Sequence, residues 1–169
     1  MNLYILRHAI AEERSREKWP DDSLRPLTTK GKKRMRHIAE GMQVLRLSFD
    51  VIYTSPYTRA RETADIVVEV FNAAKKLRET DTLAVDGDPE ELIRLINSAK
   101  NEFCNVLLVG HEPYLSELIS TLLVGDSSLP LTMKKGGICK LSVGNLKYGA
   151  CASLDWLLPP SVSMQIGHS

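Results

Sequence analysis

Short apolar runs alternate along the chain with longer stretches in which apolar residues recur every three or four positions. This is the pattern of strands alternating with amphipathic helices. Leu3-Tyr4-Ile5-Leu6 predicts a buried strand that runs straight into Arg7-His8. Residues 9–27 are polar and contain Trp19-Pro20 and Arg25-Pro26; they predict a loop, of a length that tends to be functional. Thr28 or Thr29 offers an N-cap for a helix whose apolar face is Met35, Ile38, Ala39, Met42 and Leu45. Phe49 to Tyr53 predicts a second strand ending at Thr54-Ser55. Pro56 then suits the first turn of a helix with Ala60, Ala64, Val67, Val70 and Phe71 on one face, running to about Asn72. Leu77 to Leu83 predicts an edge strand.

Asp86-Gly87-Asp88-Pro89 combines turn chemistry with a helix start, and Leu92, Leu95, Ile96 and Ala99 supply that helix's stripe. Asn105 to Val109 predicts a central strand closed by Gly110. A helix follows with Leu115, Leu118, Ile119, Leu122 and Leu123 on its apolar face, stopped by Gly125. Beyond Leu131, the runs Ile138 to Val143 and Ala150 to Leu157 predict a β-hairpin around Gly144-Asn145, and residues 161–169 predict a frayed tail. The order implies an α/β fold, a three-layer α/β/α sandwich with a mostly parallel central sheet, as a single domain over residues 1–160.

Composition adds constraints. The chain has 169 residues, 43% hydrophobic and 25% charged, enough for one substantial core. The longest apolar runs, such as Val106-Leu107-Leu108-Val109, are far too short to span a bilayer, so no membrane role is expected. The N-terminus shows no secretory pattern. Cys104, Cys139 and Cys151 are an odd set without close pairing, which predicts free thiols in a reducing cytoplasm. The net charge of +1 is unevenly spread: residues 1–61 carry 13 Lys and Arg against 7 Asp and Glu, and residues 62–169 carry 9 against 14. Lys30, Lys32, Lys33, Arg34 and Arg36 read as the solvated face of the first helix. No aromatic-rich reader motif accompanies them, so no nucleic-acid partner is expected.

The candidate chemistry lies at the predicted strand ends. Arg7 and His8 follow the first strand and Arg25 lies in its loop; Ser55 and Arg59 follow the second, and His111 follows Gly110. Arginines and histidines gathered on one rim suit a tetrahedral dianion, because guanidinium forks bind phosphate oxygens directionally and stay charged. A neutral histidine also carries a nucleophilic ring nitrogen. Helices starting near Pro56 and Pro113 would direct positive N-terminal ends at the same rim. The other polar residues have plainer readings. Arg61 is a surface charge beside Glu62 and Asp65, His37 lies in the basic helix, and His168 lies in the tail. Lys134 to Gly137 reads as a turn. His8, His37, His111 and the cysteines have no metal-ligand spacing, so no metal is expected.

These residues carry a resemblance. Leu6-Arg7-His8-Ala9 is similar to the Arg-His-Gly signature of the histidine phosphatase superfamily, which also contains the cofactor-dependent phosphoglycerate mutases. Arg25-Pro26-Leu27-Thr28, the stretch from Ser55-Pro56 to Arg59-Ala60-Arg61-Glu62-Thr63, and Gly110-His111-Glu112-Pro113 resemble three further blocks, and Trp156 to Pro159 is loosely similar. Order, spacing and length look most like the SixA-type phosphohistidine phosphatases. The resemblance implies a phosphoglycerate mutase-like sandwich and a phosphatase that needs no metal or organic cofactor. It implies His8 as nucleophile, with Arg7, Arg59 and His111 forming the phosphate pocket and Arg25 joining it. The implied substrate is phosphohistidine on a protein, such as a histidine-containing phosphotransfer domain, with inorganic phosphate as product.

Two departures stand out. Position 9 is alanine where the signature has glycine, which would crowd backbone close to the phosphate. Larger members carry an acidic proton donor in a long insertion before the fourth strand. Here only Asp81 to Glu91 fills that interval, with Asp86 and Asp88 as candidates by position. A phosphatase for small phosphomonoesters would use the same residues, as would a non-catalytic module binding phosphoproteins, although an intact His8 argues against the module. The chain is short for enclosing a bisphosphate, as a mutase must.

Overall fold

Leu3, Tyr4, Ile5 and Leu6 are all buried, as expected of a strand covered on both faces. In the computed structural model, which describes residues 1–99 and 103–167, they belong to β1 (Asn2–Arg7) near the middle of a six-stranded sheet. The other strands are β2 (Val51–Thr54), β3 (Leu77–Glu79), β4 (Asn105–Gly110), β5 (Ile138–Val143) and β6 (Ala152–Leu158), in the order β3-β2-β4-β1-β5-β6. β3, β2, β4 and β1 are mutually parallel, and β5 and β6 close one side as an antiparallel hairpin. The helices are α1 (Thr29–Val44), α2 (Thr58–Phe71), α3 (Pro89–Ser98), α4 (Tyr114–Val124) and α5 (Pro160–Gly167).

Alternation along the strands divides the core. Leu3, Ile5, Val106 and Leu108 pack with Leu92, Ile96, Leu115 and Leu118 of α3 and α4. Tyr4, Leu6, Leu107 and Val109 pack with Met35, Met42, Ala60 and Val67 of α1 and α2. The result is the three-layer α/β/α sandwich with a mostly parallel sheet. Because β4 inserts between β2 and β1, neighbouring crossovers run in opposite directions. A crevice at the strand C-termini is the geometric consequence. Leu6 pairs with Val109, Arg7 with Gly110 and Thr54 with Val109, so three parallel strands end level and deliver His8, His111 and Ser55 to one edge.

Local chemistry fixes most boundaries. Thr28 caps α1 by accepting from the Gly31 N–H at 2.8 Å. α2 begins at Thr58, two residues after Pro56, and ends at Asn72, whose φ of 52° turns the chain left-handed. Asp88 caps α3 and Gly125 (φ 101°) ends α4. Three expectations need correction. The edge strand stops at Glu79 because the Thr80 side chain caps a 3-10 turn at Asp81–Leu83. The loop over residues 9–27 is partly structured, with a 3-10 turn at Asp22–Leu24 and a bridge between Ala11 and Leu27. The segment after Pro159 does not fray up to Gly167: it forms α5, which lies against α1 with Met164 packed on the core. Gly41 allows this approach, since a side-chain carbon there would collide with the Ser163 carbonyl. His168 lies outside the described residues.

Candidate active site

His8, Arg25, Arg59 and His111 are only 5%, 8%, 3% and 1% exposed, so each must be held by specific partners or be kept neutral. The His8 backbone is fixed on two sides. Its N–H donates to the Gly110 carbonyl at 3.0 Å, and the Gly136 N–H donates to the Arg7 and His8 carbonyls at 3.1 and 3.2 Å. The Lys134–Gly137 turn thus holds the candidate nucleophile, and Gly136 sits at φ 79°, where a side chain would be strained. The His8 ring has its Nδ1 2.7 Å from the Ala9 carbonyl oxygen. A carbonyl only accepts, so Nδ1 carries the hydrogen and Nε2 keeps a lone pair.

Ala9 does not crowd the site. Its methyl packs with the α1 and α2 side chains, and its N–H donates to Thr63 Oγ1 at 3.0 Å. The Thr63 hydroxyl in turn donates to the Arg59 carbonyl at 2.6 Å, tying the first strand's end to α2.

The arginines converge through a residue with no obvious mark in the sequence, Asp22. Arg25 Nε donates to its carboxylate at 2.8 Å, Arg59 Nη2 lies 3.2 Å from the same carboxylate, and Arg59 Nη1 donates to the Asp22 carbonyl at 2.8 Å. Arg7 donates through Nη1 to the Met133 carbonyl at 2.7 Å. Tyr57 stacks beside His111 with ring centroids 5.1 Å apart and supports Arg59, whose guanidinium carbon lies 5.0 Å from the ring centre. Arg61 lies on the surface and pairs with Asp65 and Glu79, both at 3.0 Å.

Three nitrogens of this group are buried without a hydrogen-bond partner among the described residues: Arg7 Nε and Arg59 Nε, which carry hydrogens, and His111 Nδ1. They belong to residues lining one cleft of about 370 Å³ with His8, Arg25 and Lys135. Buried donors without acceptors are costly, and an oxyanion is the ligand that satisfies them. Lys135, which the sequence did not mark, adds a cation at the same cleft. Its ammonium pKa is lowered by burial and by Arg7, Arg25 and Arg59.

The candidate proton donors are elsewhere. Asp88 accepts from the Glu90 N–H at 2.8 Å, and it and Asp86 line a neighbouring depression beside Tyr57 rather than the cleft. Glu112 does line the cleft. Ser116 anchors it through Oγ at 2.7 Å and N at 3.2 Å; burial lowers the Arg7 pKa, and the Glu112 charge opposes that shift.

The electrostatics keep both histidines neutral. Burial, followed by His111, Arg59 and Arg7, lowers His8 from 6.5 to about 3, against the opposing pull of the Ala9 carbonyl. Burial and then Arg59, Arg25 and Arg7 lower His111 to about 3, with Asp22 opposing. Between pH 6.5 and 3 the unfolded chain therefore binds protons at these positions that the folded chain refuses, and stability rises with pH across that window. Acidification from pH 7 to 5 should lower Tm, and it should lower it less in His111→Ala. Ring NMR signals of both histidines should stay in their neutral form down to pH 5. A midpoint near 6.5 for either ring would contradict this electrostatic reading.

Residues 3–105 match the Histidine phosphatase superfamily (branch 1). The chain belongs to this superfamily. An uncharacterized protein of Picosynechococcus sp. is 34% identical over 94% of this chain and 100% of its own length. The phosphohistidine phosphatase SixA of Escherichia coli K12 is 27% identical over 75% of this chain and 77% of its own length. A structure of the protein histidine phosphatase SixA complexed with tungstate superposes with a TM-score of 0.83 at 23% identity, covering 96% of this chain and 99% of the other. The fold is phosphoglycerate mutase-like, and the chain is a hydrolase of the phosphatase type. Among the described residues no helix is long and apolar enough to cross a membrane.

Proposed function

We propose that this phosphatase removes the phosphoryl group from phosphohistidine on a protein, through a phosphoryl intermediate on His8. The observation that carries the reading is the set of unpaired buried nitrogens, Arg7 Nε, Arg59 Nε and His111 Nδ1, on residues lining one cleft with His8. The His8 Nε2 lone pair attacks phosphorus in line and the substrate P–N bond breaks. The departing imidazole leaves with a proton from solvent. The Ala9 carbonyl holds the Nδ1 hydrogen while the ring carries the phosphoryl group. Water then attacks phosphorus, the P–Nε2 bond breaks, and inorganic phosphate departs from neutral His8. Arg7, Arg59 and His111 hold the peripheral oxygens where transition-state charge gathers. Arg25 adds charge and steadies Asp22.

Two features favour a protein substrate. The cleft wall carries an exposed apolar side chain, Val85 (40% exposed), that a partner surface could cover. The interval before β4 holds a 3-10 turn and α3, with Asp86 and Asp88 turned to a neighbouring depression. An alkoxide leaving group needs a general acid, an effect of about 10²–10⁴-fold, whereas imidazole leaves once protonated by solvent.

Glu112 favours a second reading, hydrolysis of small phosphomonoesters, because it is a carboxylate fixed in the cleft. A substrate panel separates the two. We expect kcat/KM for a phosphohistidine protein to exceed that for sugar phosphates by about 10² or more, and Glu112→Gln to slow ester hydrolysis more than phosphohistidine hydrolysis. Equal rates on both substrates, with Glu112 essential, would support the small-ester reading instead.

A further inference from the structure

Ser55 is fully buried at the end of β2, and its backbone N–H is fixed to the Val109 carbonyl at 3.0 Å. Pro56 has no N–H to offer, and the next one along, that of Tyr57, donates to Ser55 Oγ at 3.3 Å. The same oxygen lies 2.8 Å from His111 Nε2. We propose that Ser55 is a positioning residue that donates its hydroxyl hydrogen to His111 Nε2 and thereby holds His111 as the Nδ1–H tautomer, with that N–H reserved for a phosphoryl oxygen. The proposal rests on the use of His111 as an anion donor.

Two independent counts lead to the same tautomer. A hydroxyl has one hydrogen and two lone pairs, and one of the lone pairs receives the Tyr57 N–H. If His111 Nε2 carried the ring hydrogen it would donate to the second lone pair, leaving the hydroxyl hydrogen buried with no acceptor among the described residues. In that arrangement Nδ1, which has no protein partner, would turn a lone pair rather than a hydrogen toward a negatively charged ligand. With the hydroxyl donating to Nε2, both conflicts vanish. Burial and the nearby arginines disfavour the doubly protonated ring, so a neutral tautomer has to supply the donor. The site then uses one tautomer in two opposite senses. His8 anchors its Nδ1–H on Ala9 and offers the Nε2 lone pair, while His111, with ring centroid 5.2 Å away, anchors Nε2 on Ser55 and offers Nδ1–H.

The test is a spectroscopic one with kinetics beside it. In the wild-type protein, ring ¹⁵N shifts of His111 between pH 5 and 8 should show a protonated Nδ1 and an unprotonated Nε2. In Ser55→Ala the ring should redistribute toward Nε2–H. The kcat should fall about 10- to 100-fold, the scale seen when partners that orient metal-binding histidines are removed, with a much smaller change in KM. Ser55→Thr, which keeps the hydroxyl, should restore the tautomer and most of the rate. A wild-type His111 protonated on Nε2 would overturn the proposal even if no variant folded. So would a folded Ser55→Ala that keeps both the wild-type tautomer and rate. The NMR readout needs no substrate. Turnover is followed on p-nitrophenyl phosphate as well as on a phosphohistidine protein, so a wrong substrate assignment leaves this test intact.

Discussion

Replacing His8 with alanine should lower turnover by more than about 10⁴-fold, the scale of losing a group that acts as one unit with its neighbours in covalent catalysis. In the proposed mechanism His8 supplies the lone pair, and nothing beside it can substitute. In the proposed tautomer His111 donates rather than attacks, and Lys135 is a cation at the cleft edge. The variant should still fold. His8 follows β1 rather than lying within it, and its ring makes one hydrogen bond, to the adjacent residue. It should also still bind inorganic phosphate, because Arg7, Arg59 and His111 are unchanged. Circular dichroism and phosphate titration alongside the rate measurement separate lost chemistry from lost structure. A His8→Ala enzyme retaining a tenth of wild-type turnover would remove the nucleophile from the scheme.

Arg59→Ala should cost on the order of 10²–10³ in kcat, as expected for removing a preorganised donor from an anion site. Its guanidinium is 3% exposed and held by Tyr57 and by the Asp22 carbonyl and carboxylate, so it is in place before a ligand arrives. The loss should fall on kcat more than KM, because the peripheral oxygens draw charge most strongly in the transition state. Asp22 keeps Arg25 as a partner at 2.8 Å, so the loop stays anchored. Arg61→Ala, two residues along the same helix, is the matched control. Its exposed pairs with Asp65 and Glu79 are of a kind typically worth about 0–1 kcal/mol, and activity should be unchanged. A dispensable Arg59 with an essential Arg61 would mean the site faces the other side of α2.

Much of this was legible in the residues because strand ends and cap chemistry are local. Arg7-His8, Ser55 and Gly110-His111 announce themselves as polar groups directly after apolar runs, and a parallel sheet brings such ends together. Thr28, Asn72 and Gly125 set helix limits by side-chain or backbone preference alone. The missing parts were tertiary. Asp22 lies in a polar stretch of Glu, Arg, Lys and Asp, and only the folding of residues 9–27 onto α2 puts its carboxylate between Arg25 and Arg59. Lys135 and Gly136 look like an ordinary turn until the β5–β1 pairing carries them to His8. Helix α5 was invisible because its stability comes from packing on α1, through a glycine at position 41 that pattern alone does not single out. Asp88 is a candidate acid by its place in the chain alone; its carboxylate caps α3 and lines the depression beside Tyr57, whereas Glu112, next to His111, lines the cleft.

The covalent step can be trapped directly. Wild-type enzyme is mixed for milliseconds with a phosphohistidine protein, quenched in base and digested, and the peptide carrying residues 7 and 8 is examined for a phosphoryl group. Phosphorylation on Nε2 of His8, stable to base and labile to acid, forming before phosphate release and absent from His8→Ala, is the expected result. Phosphate appearing with no phosphoryl-enzyme at any quench time, or the group found on another residue, would contradict the mechanism.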